Sequence, residues 1–88
     1  MKILKFKLTK ASRQFVKMPE KSEIMDIQLQ EGEFVMWALC PVDNPEIKVQ
    51  INIYGTGWDV NENMSKNEYL ATVQSGGFVW HFFMNYEV

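Results

Sequence analysis

His81 and Cys40 are the only histidine and cysteine in the chain, which narrows the chemistry it can support. A zinc site draws three or four ligands from His, Cys and carboxylate side chains, and one of each at distant positions does not build one. Asp59-Val60-Asn61-Glu62-Asn63 imitates the start of a calcium loop, but Met64 stands at its sixth position instead of glycine and Leu70 at its twelfth instead of glutamate. It reads as a polar loop, and no metal is expected. Nucleophilic catalysis would need Cys40 or a serine beside His81 with an orienting carboxylate. No serine lies in a strained glycine elbow, so no catalytic set can be assembled. The expectation is a protein that is not an enzyme and takes no cofactor.

Binding is better represented. Gly55-Thr56-Gly57-Trp58 follows a strongly alternating segment, where two glycines free the backbone for a tight corner. The N–H groups of Thr56 and Gly57 could there cradle an anion, while Trp58 folds back onto a sheet. Neither a phosphate-binding helix loop nor a dinucleotide fingerprint fits, because the spacing fails and no helix follows. Trp37, Trp58, Trp80, Tyr54, Tyr69 and Phe78 form a large aromatic inventory, most of it core. His81 alternates with Val79 and Phe83 and reads as a core histidine satisfied by a backbone group. Placed in a pocket, it would instead bond a ligand's ribose or phosphate. The residues expected to contact a ligand are Trp37, Tyr54, Gly55, Thr56, Gly57, Trp58 and His81, with Lys5 or Lys7 as a phosphate partner. The expected ligand is small and phosphate-bearing.

The elements that must position these residues are strands. Leu4, Phe6 and Leu8 alternate with Lys5 and Lys7; Met25, Ile27 and Leu29 alternate with Asp26, Gln28 and Gln30; Ile47, Val49, Ile51 and Ile53 alternate with Lys48, Gln50 and Asn52. Gln30-Glu31-Gly32-Glu33 predicts a turn joining strands near 24–30 and 34–40, and Ser75-Gly76-Gly77 one joining strands near 69–74 and 78–84. A weaker strand near 14–18 stops at Pro19. No stretch of ten residues has helical spacing. The expected fold is all-β, a compact antiparallel sandwich or small barrel of about seven short strands with little or no helix. The segment from Gly55 to about Glu68 is the longest irregular one, of a length that is often functional or mobile.

With 88 residues, 47% hydrophobic and 14% aromatic, the chain reads as a single domain, 1–88. About 60–65% of the unfolded surface is buried in folds of this size. Residues 34–40 and 78–84 are apolar on both faces, so each must be covered twice. A second copy is one way to do so, and a homo-oligomer is expected. No apolar run approaches the roughly 20 residues of a membrane helix, and lysines interrupt the first residues, so no signal peptide is expected. Cytoplasmic residence follows as the expectation. Cys40 reads as a buried apolar thiol. The net charge of -2 hides an asymmetry: Lys2, Lys5, Lys7, Lys10, Arg13, Lys17 and Lys21 against Glu20 make residues 2–21 +6, and the remainder is -8. An acidic majority repels a long nucleic acid, but a short phosphate-bearing ligand senses only the local field.

Met36-Trp37-Ala38-Leu39, Tyr54-Gly55-Thr56-Gly57-Trp58, Tyr69-Leu70-Ala71-Thr72-Val73-Gln74 and Phe78-Val79-Trp80-His81 together resemble a family of small, uncharacterised phage and prophage proteins. Ala71 departs from the glycine common there. The resemblance carries no enzymatic activity; it implies a protein made by a virus of bacteria and working in the cytoplasm of the infected host, commonly as an accessory or counter-defence factor. Combined with the aromatics, the glycine-rich turn and the basic segment, it gives the expected function: binding and sequestering a nucleotide-type immune signal without catalysis. The alternatives are direct inhibition of a host protein, or a minor virion or assembly component.

Overall fold

The computed structural model describes residues 1–60 and 64–86. Seven strands account for most of them: β1 (Lys2–Leu8), β2 (Arg13–Pro19), β3 (Glu23–Gln30), β4 (Glu33–Cys40), β5 (Glu46–Gly55), β6 (Asn67–Ser75) and β7 (Phe78–Asn85). One 3-10 turn, Met64–Lys66, precedes β6. Every pairing is antiparallel, in a three-stranded sheet of order β1-β4-β3 and a four-stranded sheet of order β2-β5-β7-β6. The sheets stack as a sandwich and do not close into a barrel. The shortest extent, 16 Å, suits two layers about 10 Å apart, each adding its own pleat and twist.

Alternation decides which side chains enter the space between the sheets. Phe6 pairs with Met36 and Leu8 with Phe34 on one sheet, while Ile51 pairs with Met84 and Ile53 with Phe82 on the other. These inward residues, with Val16, Met18, Ile27, Ala71 and Val73, make the core. At its centre the rings of Phe34 and Phe82 meet edge to face, 5.0 Å apart. Cys40 is fully buried and free, as its apolar neighbours suggest.

The β3–β4 hairpin turns where expected. Glu31 and Gly32 both have positive φ, 51° and 80°, the signature of a two-residue turn whose twist matches that of the flanking strands. The simple alternation expected for β3 fails at Met25. The register shifts between Ile24 and Asp26, so Ile24 and Ile27 both face β4's inward residues and Met25 is the extra residue of a bulge, 55% exposed. A second shift, between Tyr69 and Ala71, leaves Tyr69 on the outer face while Leu70 packs against the core.

The two strands that are apolar on both faces differ: most of β4 is buried, whereas β7 is mostly half-buried and its Phe78 is 66% exposed. Val35, on the outer face of β4, is only 2% exposed, flanked across the sheet by Lys7 and Gln28. The outer face of β5 carries a polar ladder instead: Gln50 Nε2 donates to Asn52 Oδ1 (2.9 Å), and Asn52 Nδ2 donates to Asn67 Oδ1 (3.1 Å). Both Gln50 and Asn52 are buried, and burial without such partners would cost about 1–3 kcal/mol per group.

Candidate ligand-binding cleft

Two connections and four strand ends converge at one end of the sandwich. There Lys10, from the link between β1 and β2, Phe34 at the start of β4, Ile53 near the end of β5, and Ser75, Phe78 and Trp80 around the β6–β7 turn line a cleft of about 290 Å³. That lies just below the range for ligand pockets, about 300–1,000 Å³. Phe34 and Ile53 are core residues and form its floor; Phe78, 66% exposed, stands at its mouth.

The aromatic wall follows from strand geometry. Residues two apart on a strand point to the same side, so Phe78 and Trp80 stack, with centroids 5.7 Å apart and planes 28° from parallel. Trp58 meets Trp80 edge to face, at 5.4 Å and 85°. Gly55 makes this approach possible: it lies opposite Trp80 in the sheet, and a Cβ built on it would stand 2.8 Å from the Trp58 ring. The turn that returns Trp58 is closed by Trp58 N–H donating to Gly55 O (3.1 Å), with Gly57 at φ 88°.

Of the two backbone donors expected to cradle an anion, that of Thr56 is engaged in the sheet. Thr56 N–H donates to Val79 O (3.1 Å) and Trp58 N–H closes the turn, so sheet and turn consume the donors on either side of Gly57. The corner positions the Trp58 indole against Trp80.

His81 also departs from the expected core histidine. It lies opposite Tyr54 on the outer face of the four-stranded sheet, half-buried. Its partners are side-chain hydroxyls: Nε2 lies 2.7 Å from Thr56 Oγ1 and Nδ1 3.1 Å from Thr72 Oγ1, which in turn meets Tyr69 OH at 2.8 Å. A neutral ring can accept at one nitrogen and donate at the other, so the chain of hydroxyls holds the imidazole in plane. The Phe83 ring next to it is flanked edge to face by Tyr54 at 5.9 Å and Tyr69 at 5.8 Å.

The nine residues expected to bind ligand thus fall in three places. Gly55, Gly57 and Trp58 belong to the corner beside the cleft; Tyr54, Thr56 and His81 face outward from the four-stranded sheet. Lys5 and Trp37 pair across the outer face of the three-stranded sheet, with Lys7 on the same face, on the far side of the sandwich. Lys10, Ser75, Phe78 and Trp80 replace that last group at the cleft. Phe78 and Trp80 were visible as an aromatic pair at strand spacing after Gly76-Gly77. Lys10 had no signal beyond its membership of the basic segment.

Among the described residues, no three His, Cys, Asp or Glu side chains come together to hold a metal ion, and no helix is long and apolar enough to cross a membrane. The calcium-loop imitation and the irregular segment after Gly55 both include residues 61–63, which lie outside the described residues. No curated protein and no solved structure matches the chain. The family model described as a domain of unknown function, DUF7352, matches residues 1–88, and the chain belongs to that family.

Proposed function

We propose that this protein binds a small planar anion of nucleotide type in the cleft at the end of the sandwich and holds it without converting it. The observation that carries this reading is the stacked Phe78–Trp80 pair at the mouth of a 290 Å³ cleft that also presents Lys10. A base stacked on an exposed ring gains about 1–3 kcal/mol, and an ammonium group beside it receives phosphate as a point charge. Phe34 and Ile53 give the ligand an apolar floor, and Ser75 supplies a hydroxyl. Sequestration needs affinity and no catalytic group. In the phage setting that the sequence resemblance implies, such a protein serves as a counter-defence factor that removes a nucleotide signal in the infected cell, and a homo-oligomer would multiply its sites.

The test is a thermal-shift screen against linear and cyclic nucleotides, cyclic dinucleotides and ADP-ribose derivatives. A ligand at 100 times its dissociation constant adds about 2.7 kcal/mol to the native state. The expected result is a clear shift with one class, and recovery of that ligand unchanged after denaturation. Recovery of a converted product would replace sequestration by catalysis, and no shift across the panel would remove the nucleotide reading in favour of a protein target.

A further inference from the structure

β1 is the outermost strand of its sheet, paired along one side with β4. β2 is outermost in the other sheet. β3 lies against β6 at the opposite flank of the sandwich, whereas β1 and β2 scarcely touch. The flank between β1 and β2 is therefore open, and the seven cations of residues 2–21 all fall on these two strands and their connections. Sequence asymmetry has become spatial asymmetry.

Three properties of β1 define what fits its free edge. Its backbone presents N–H and C=O groups that no described strand pairs. Its inward residues Leu4 and Phe6 are only half-buried, while Leu8 at the closed end is buried. Its outward residues Lys5 and Lys7 are exposed; Lys7 meets Glu33 at 3.6 Å, with both side chains largely in solvent, and Lys5 donates to the amide oxygen of Gln30 at 3.3 Å. Ion pairs this exposed are weak and exchange readily.

We propose that the free edge of β1 is a docking site for an extended acidic segment of another protein, which adds to the three-stranded sheet as a further strand. Main-chain hydrogen bonds supply affinity in this mode, and alternate side chains supply specificity. The added strand turns apolar residues inward to cover Leu4 and Phe6 and acidic residues outward beside Lys5 and Lys7, so its sequence alternates with a period of two. A second copy's β1 does not meet this description, because it sets lysines against lysines. A nucleic acid offers the negative charge, but neither peptide groups to pair with the edge nor side chains to cover Leu4 and Phe6.

The experiment uses the full chain and three probes of equal length: a fluorescent Glu-Val-Glu-Val-Glu-Val-Glu peptide, its block isomer Glu-Glu-Glu-Glu-Val-Val-Val, and an oligothymidylate. Affinity is read by anisotropy and position by amide hydrogen exchange. The alternating peptide should bind at least about tenfold more tightly than either control and slow exchange of the β1 amides, and Lys5→Glu with Lys7→Glu should weaken it by at least about tenfold, a kind of loss expected when charge complementarity is reversed. Lys5→Gln with Lys7→Gln, carried alongside with a thermal melt, should weaken it by less while leaving the fold intact. Equal binding of the three probes, tighter binding of the oligonucleotide, absence of binding, or protection confined to another strand would each overturn the proposal.

Discussion

Trp58 occupies its place because Gly55 has no side chain. The 2.8 Å separation between a Cβ built at position 55 and the Trp58 ring is closer than packed atoms allow, and the indole is the part that can move. Gly55→Ala should therefore swing Trp58 off Trp80, with loss of the near-ultraviolet circular dichroism of the coupled indoles. The edge-to-face contact is worth about 0.5–1.5 kcal/mol, so the urea midpoint should fall by a matching amount. An unchanged near-ultraviolet spectrum would mean that Trp58 does not lean on Gly55. His81 belongs to the same scale: bonds at both ring nitrogens, to Thr56 and Thr72, make it a fastener of the sheet's outer face. Its neighbours in sequence, Val79 and Phe83, suggested an apolar surrounding, but the partners that matter come from the turn after β5 and from β6.

The β3–β4 hairpin fixes which residues of β4 reach the core, through the positive φ values of Glu31 and Gly32. A Cβ in that left-handed region costs about 1–2 kcal/mol. Gly32→Ala should lower stability by about that much in a urea titration, and no loss would argue against a two-residue turn of this type. Strand positions were legible because alternation of apolar and polar residues is the direct mark of a half-buried strand, and Leu4-Phe6-Leu8 and Ile47 to Ile53 form β1 and β5 as expected. Met25 was misassigned to the inward face because alternation counts residues and the bulge inserts one. The candidate site was legible only in part. Alternation tells which residues share a face of one strand, but not which strands share a sheet. Trp37 and Lys5 thus looked like partners of Tyr54 and His81, although sheet order sends them to the other side of the molecule. Lys10 and Ser75 meet at the cleft only because two connections end at the same end of the sandwich, a fact of topology that no local pattern carries.

As a whole the molecule is two sheets sealed by one core, with little in reserve. Phe82 is fully buried and packs edge to face on Phe34, joining the two sheets. Phe82→Ala should cost about 3–5 kcal/mol, a large share of the roughly 5–15 kcal/mol typical of domains, and should show as a large drop in the urea midpoint; a drop within error would mean that the sheets are held elsewhere. The two flanks differ, with β3 against β6 on one side and an open, basic β1 and β2 on the other, and the end cleft lies beside the link that joins those two strands. In the two proposals, charge in the first 21 residues serves both the cleft, through Lys10, and the free edge, through Lys5 and Lys7. The central claim is that the cleft binds a planar anion by stacking. Its most direct measurement compares the ligand-induced thermal shift of the unaltered protein with that of Phe78→Ala, because Phe78 is exposed and its removal leaves the core intact. The account predicts that the variant melts normally by itself and loses most of the shift. An undiminished shift in Phe78→Ala would contradict it.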